Sequence, residues 1–314
     1  MKKSDLVKIA RLYYEKKMTQ QKIADIMNIS RMAVSRSLSK CEEEGIVEIK
    51  ISTLDSYMDM EDAIKRSYPL AEVHIVPFDD EINVLQRLLS EKAMDVLSRH
   101  LKKGANVGVG WGSTMRALKN YARDNEMPHI EAQFVPLMGG YGNADSEFHA
   151  SQIAATLGKA YNGGFLQLHA PAIVGSSEIK KVLIEDAQID LVFKSLKKLD
   201  LAIHSFGCLS AEDASVLSSG YFTESDINEL RRAQVECDIV SSIYLDRDGN
   251  EVDLEILTRT IGISSEDYKK IPIKIAVAGG DSKLPATKLV ARSGLVDILV
   301  TDEKTGEHLV NNAK

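Results

Sequence analysis

The 314-residue sequence predicts a two-part α/β protein, a small helical N-terminal domain followed by a larger parallel sheet covered by helices on both faces. Three observations predict it. Positive charge is concentrated in the first 50 residues, two capped helical patterns joined by a tight turn fill that stretch, and seven short apolar runs alternate with helical periodicity in the remainder. The predicted boundaries are 1–52 for the helical domain, 53–68 for a connecting helix that could pack between subunits, and 69–314 for the α/β domain. A composition of 44% hydrophobic and 27% charged residues, with 20 Gly and 7 Pro, excludes disordered, collagen-like and rod-like chains.

Charge separates the two parts. Residues 1–50 carry 11 Lys/Arg against 7 Asp/Glu, a net +4, whereas the whole chain is −7, so the rest carries −11. A basic head on an acidic body implies that one part meets a polyanion and the other does not. No apolar run approaches the ~18 residues of a membrane span. The start, Met1 to Arg11, is interrupted by charge and does not read as a secretory signal. Three scattered cysteines, Cys41, Cys208 and Cys237, form no C-x-x-C pair and fit a reducing compartment, so a cytoplasmic protein without membrane partners is expected.

Ser4–Lys16 places Leu6, Ile9, Ala10 and Tyr13 on one helical face. Thr19 is a good N-cap for a helix over Gln20–Met27, with Ile23, Ala24 and Met27 inward. Asn28-Ile29-Ser30 breaks the pattern, and Ser30 can cap Arg31–Glu44, whose buried face would be Val34, Leu38 and Cys41 and whose stop is Gly45. Two short helices around a turn of about three residues form a helix-turn-helix, whose second helix enters the DNA major groove. Arg31, Met32, Ser35, Arg36 and Lys40 lie on that helix as candidate DNA contacts. Thr19, Gln20 and Gln21, at the preceding helix N-terminus, are candidate phosphate clamps. The alternating run Ile46–Ile51 suggests a wing, giving a winged-helix-like domain.

In the body, the apolar runs Val73–Val76, Val107–Val109, Phe134–Leu137, Phe165–Leu168, Leu201–His204, Ile273–Val277 and Ile298–Val300 read as buried parallel strands with helical crossovers. Ligand sites in such sheets gather at carboxyl strand ends. Four ends are distinctive: Gly110-Trp111-Gly112-Ser113-Thr114, Gly139-Gly140, His169, and Gly279-Gly280 followed by Lys283. Glycine turns opening a helix favour an anion, and a lysine beside them can meet it. No acid ends the strand after the first glycine turn, and no lysine precedes Ser113-Thr114, which disfavours NAD and ATP. The seven histidines form no metal-ligand spacing, and His169 and His204 read more readily as satisfied core or pocket histidines than as ligands. No metal and no cofactor are expected.

Taken in order, Leu12-Tyr13-Tyr14, Met18-Thr19-Gln20, Ile23-Ala24 and Ser30 to Arg36 closely resemble the helix-turn-helix of SorC/DeoR-type bacterial transcriptional regulators. Gly110 to Met115, Leu137 to Gly140, Asp238-Ile239-Val240, Ala278 to Lys283 and Leu299 to Glu303 resemble their sugar-binding domain. The resemblance spans essentially the whole chain. It implies a Rossmann-like α/β effector domain related to sugar-phosphate isomerases, a sugar or phosphosugar effector, and assembly as a homodimer or homotetramer on double-stranded operator DNA. By the same resemblance Gly110–Thr114 and Gly139–Gly140 would line phosphate or hydroxyl sites, and Asp238 and Lys283 would face the effector. Two departures stand out: Cys237 precedes Asp238 where a glycine is frequent, and Met138 stands near a position where some relatives use a lysine on an aldehyde sugar. The function expected is a DNA-binding regulator, acting as a repressor of a carbohydrate-use operon and not as an enzyme. The alternative is a sugar-phosphate isomerase with an added helical head, for which Asp238, Asp281 or Glu303 would have to serve as base.

Overall fold

The computed structural model describes residues 3–47, 57–140, 146–209 and 222–313. The chain divides into two compact units, Met1–Asp55 and Ser56–Lys314.

The first unit is a trihelical core. Helix α1 (Lys3–Ala10) widens into a π-turn over Arg11–Glu15, where a single α-helix is expected from periodicity. The wider turn lets three consecutive bulky residues, Leu12, Tyr13 and Tyr14, all pack inward, the two tyrosines edge-to-face at 5.0 Å. In α2 (Gln20–Met27) the cap is the expected one: Thr19 Oγ1 accepts from Lys22 N at 3.3 Å, and Asn28 ends the helix in the left-handed region. In α3 (Arg31–Glu43) Ser30 Oγ accepts from Ala33 N at 3.1 Å. Ile9, Ile23, Ala24, Val34 and Leu38 form the centre. Gly45 has φ +65°, and the N–H groups of Ile46 and Val47 both fold back onto Cys41 O. These two residues form a bend; the remainder of the run read as a wing lies outside the described residues.

The second unit opens with α4 (Met58–Ser67), which packs against β1 (Glu72–Val76) and the C-terminal helix α13 (Glu303–Asn311). Tyr57 Oη donates to Glu303 at 3.2 Å, Tyr68 Oη donates to Leu309 O at 3.0 Å, and Glu61 accepts from Ile75 N at 2.9 Å. Residues 57–68 of the stretch read as a connecting helix therefore pack in this unit's wall, while 53–56 lie outside the described residues. In chain order there follow α5 (Ile82–His100), β2 (Asn106–Val109), α6 (Ser113–Asp124), β3 (Gln133–Pro136), α7 (Ala150–Ala160), β4 (Gly164–Phe165), α8 (Ser177–Ile184), α9 (Ala187–Leu196), β5 (Leu201–His204), β6 (Phe206–Cys208) and α10 (Glu224–Arg232). The unit is completed by β7 (Val235–Ile239), β8 (Ile243–Asp246), α11 (Ser265–Lys269), β9 (Ile273–Val277), α12 (Leu284–Ser293), β10 (Ile298–Asp302) and α13.

Seven strands form one parallel sheet in the order β1-β10-β9-β5-β2-β3-β4. Each is one of the seven apolar runs. Strands covered on both faces bury every side chain, and the central β5 and β10 are buried throughout, whereas the edge strands β1 and β4 are partly exposed. The edge strand β4 is shorter than its run: Leu168 N donates to Ser151 Oγ, at 3.1 Å, instead of to a ladder partner. A second, antiparallel sheet, β6-β7-β8, was not expected from the sequence.

The chain steps outward from β2 through β3 to β4, then returns to place β5 on the other side of β2. The carboxyl ends of β2 and β5 are thus a topological switch point, where open α/β sheets leave a crevice.

Candidate functional site

The crevice is occupied by a cavity of about 380 Å³, counting its solvent-open part, lined by residues from four separate segments. Trp111, Gly112, Ser113 and Thr114 follow β2; Ser205, Phe206 and Gly207 follow β5; Asp238 and Val240 come from β7 and its turn; Lys283 precedes α12. The two central strands are drawn together at Gly110, whose N–H donates to Ile203 O at 2.9 Å. A methyl group on Gly110 would lie 2.6 Å from His204 Cβ and 3.0 Å from its Cα, so only glycine allows this approach.

Gly112 caps α6 with φ +102°, and Ser113 is already the first helical residue. Ser113 and Thr114 are residue types that could cap such a helix from sequence, but no side chain does so. The helix start therefore brings its unbonded first-turn N–H groups and positive dipole end to the cavity wall. The Gly112 N–H is not among them, since it donates to Phe148 O at 3.0 Å.

Opposite stand a buried acid, Asp238, and a half-buried lysine, Lys283. Asp238 is 3% exposed, and burial pushes its carboxyl up to about 7, although Ser241 N donates to it at 2.6 Å and Lys283 stabilises its charge. Burial likewise pulls the Lys283 ammonium below its ordinary value, and Nζ donates to Phe206 O. The turn that presents Asp238 is strained: Val240 and Ser241 take φ +47° and +54°, with Ser242 N donating to Ile239 O at 3.1 Å. Two successive left-handed residues suit a tight hairpin, but a β-branched valine there is costly, and such strain collects at functional sites.

Of the effector residues expected from sequence, Trp111, Gly112, Ser113, Thr114, Asp238 and Lys283 share this cavity. Gly110 acts beneath it, by close packing. Gly139 lines neither this cavity nor the next: an added Cβ would sit 2.5 Å from Pro171 O, so its role is backbone approach. Gly140 and the exposed His169 line a second cleft with His149, Gln152 and Gln167, beyond the ends of β3 and β4. His204 is a satisfied core histidine: Nε2 pairs with Tyr268 Oη at 2.7 Å, and burial pushes it down to about 4. Sequence reasoning missed Ser205, Phe206, Gly207 and Val240. The first three were findable, because they directly follow the fifth predicted strand. Asp281 is paired with Lys304, and Glu303 accepts from Tyr57, so of the three carboxylates considered as isomerase bases only Asp238 lines the cavity. Among the described residues no three His, Cys, Asp or Glu side chains are grouped to hold a metal ion, and no helix is long and apolar enough to cross a membrane.

In the first unit the outward stripe of α3 is Met32, Ser35, Arg36 and Ser39, spaced by three and four residues; Met32 is 66% exposed. Arg31 is exposed beside it, and Arg36 Nε donates to Met32 O at 3.4 Å. Lys40 pairs with Glu44, just past the end of α3, at 3.4 Å. Thr19 spends its hydroxyl on the cap of α2, while Gln20 and Gln21 occupy its first turn and Gln21 bonds Asp25. Ser39, four residues beyond Ser35, was missed although helical spacing identifies it.

Residues 53–311 match the model of the sugar-binding domain family (Sugar-bind), and residues 8–41 match sigma-70 region 4. The chain is 28% identical to the deoxyribonucleoside regulator of Bacillus subtilis (strain 168) over 98% of its own length and 97% of that protein's. It is 26% identical to the sorbitol operon regulator of Klebsiella pneumoniae, covering 97% of each. The crystal structure of the full-length sorbitol operon regulator SorC from Klebsiella pneumoniae has the same fold, with a TM-score of 0.75 at 24% identity over 97% of both chains.

Proposed function

The chain belongs to the sugar-binding domain family, and from that premise we propose that it is a DNA-binding transcriptional regulator of a carbohydrate-use operon, controlled by a sugar or sugar-phosphate effector. The relatives it matches along nearly their full length are transcriptional regulators, which supports this reading and not an enzyme. The observation that carries the effector's chemistry is the convergence of the α6 N-terminus, Lys283 and Asp238 on one cavity at the switch point. The helix start and the lysine favour an anion such as a phosphoryl group. Asp238, held near its midpoint at neutral pH, can accept from or donate to a sugar hydroxyl.

DNA recognition is assigned to the stripe Met32, Ser35, Arg36 and Ser39 with Arg31, backed by phosphate contacts from Gln20, Gln21 and Lys40. Arginine pairs bidentately with guanine, and an apolar side chain meets the thymine methyl. The chain acts in the cytoplasm as a repressor, as a homodimer or homotetramer on an operator with inverted half-sites. An effector changes operator affinity only by binding one arrangement of subunits better than another.

A thermal-shift panel of sugar phosphates tests this, since a ligand of the native state raises its melting temperature. At least one member should stabilise the wild type but not Lys283→Ala, while both bind operator DNA equally without effector. A ligand response that survives in Lys283→Ala removes this cavity from the mechanism.

A further inference from the structure

Two of the three cysteines face each other across the wall of the cavity. Cys208 on β6 and Cys237 on β7 are direct partners in the antiparallel register. Leu209 N donates to Glu236 O at 2.9 Å, which makes the neighbouring pair the hydrogen-bonded one and leaves Cys208 and Cys237 at a non-hydrogen-bonded position. At such positions the Cα atoms approach to about 4.5 Å and both side chains project from one face. A disulfide accepts Cα separations of about 4.4–6.8 Å, so the backbone is already within bonding range, at the short end where bonds are more easily reduced. Cys237 is fully buried and Cys208 is 5% exposed, which shields the pair from large thiols more than from a small oxidant. Burial raises the Cys237 thiol well above its usual range, and the nearby Lys283 ammonium opposes that shift.

We propose that Cys208 and Cys237 are an oxidisable dithiol that closes to a cross-strand disulfide on exposure to hydroperoxide, and that the closed bond displaces the cavity wall. The Cys208 thiolate attacks a peroxide oxygen, forming S–O as O–O breaks, and the departing hydroxide is protonated to water. The Cys237 sulfur then attacks the sulfenic sulfur, forming S–S as S–O breaks, and a second water leaves. Two thiols lose two electrons and two protons, and one hydrogen peroxide becomes two waters. The wall follows because the pair is continuous with it. Asp238 is the next residue after Cys237 and lies opposite Gly207, and Phe206, which accepts the Lys283 hydrogen bond, shares a three-residue strand with Cys208. The cross-link rests on register alone, whereas its effect on ligand binding rests on the cavity reading above.

The full chain, reduced and then treated with hydrogen peroxide, should yield a Cys208–Cys237 peptide pair in a non-reducing digest analysed by mass spectrometry. Titratable thiols in denaturant should fall from three to one, and dithiothreitol should restore them. Cys41→Ser should still form the pair, and Cys208→Ala and Cys237→Ala should each abolish it. Three persisting thiols, a link through Cys41, or Cys208 passing to sulfinic acid without a link overturns the proposal. With inorganic phosphate as the probe, the cross-linked protein should lose at least half of the melting-temperature rise seen in the reduced protein. An undiminished rise overturns the coupling. Absence of any rise in the reduced protein overturns the cavity reading and leaves the cross-link standing.

Discussion

Asp238→Asn should stabilise the protein, and the gain should depend on pH in a direction fixed by burial. The ordinary value for this carboxyl is 3.8, and in the folded state it stands at about 7. Between those values the folded state holds a proton that the unfolded state has lost, so stability falls as pH rises through this window. Each tenfold step is worth about 1.4 kcal/mol, so the penalty reaches at most ~4 kcal/mol above pH 7 and vanishes below about pH 3. Asparagine keeps an oxygen for the Ser241 N–H but carries no charge. Its advantage over the wild type should therefore be near zero at about pH 3, about 1 kcal/mol at about pH 4.5, and about 2–4 kcal/mol at about pH 8. Urea unfolding followed by circular dichroism at four pH values measures this directly. A pH-independent difference, or a loss of stability at pH 8, would refute the argument that the carboxylate is held at a desolvation cost. The same variant should lose its thermal response to sugar phosphates, because the cost is retained only where the acid meets a ligand.

Two further substitutions probe the cavity floor and the DNA-binding face. Gly110→Ala must part the ends of β2 and β5 to relieve a 2.6 Å approach to His204, at a cost of about 1–3 kcal/mol in urea unfolding. An unchanged midpoint would show that the approach is not tight. Arg36→Ala should weaken operator binding by about 1–3 kcal/mol and relax base preference at one position in each half-site. An equal loss on every duplex in a mobility-shift competition would make it a phosphate contact instead.

The large sheet was legible because its strands are buried on both faces. Val107–Val109, Leu201–His204 and Ile298–Val300 are short unbroken apolar runs, a signal that needs no knowledge of neighbours. The small sheet lacked it. Val235-Glu236-Cys237-Asp238-Ile239 mixes charge with apolar residues because Asp238 turns to the cavity and Cys237 to the core, and its pairing with Phe206–Cys208 is set by tertiary position. Helix caps at Thr19 and Ser30 are local chemistry and could be read directly. The Arg11–Glu15 π-turn is not local, since it depends on three adjacent bulky side chains finding a common core. The cavity was half legible for the same reason. Glycines and a lysine at strand ends announce themselves, whereas Ser205 and Val240 matter only because strand order brings them beside Gly112.

That strand order also sets a timetable for synthesis. The first strand of the sheet, Glu72–Val76, finds its partner only in Ile298–Asp302, more than two hundred residues later. At ribosomal speeds of roughly 5–20 residues per second, an apolar strand waits tens of seconds with neither edge paired. The trihelical head, whose contacts all fall within a few dozen residues, can be complete long before then. A nascent chain stalled before its last strand would thus carry a finished head on an unfinished sensor. Such a truncated product would carry an unpaired apolar strand, the kind of surface that chaperones and proteases engage.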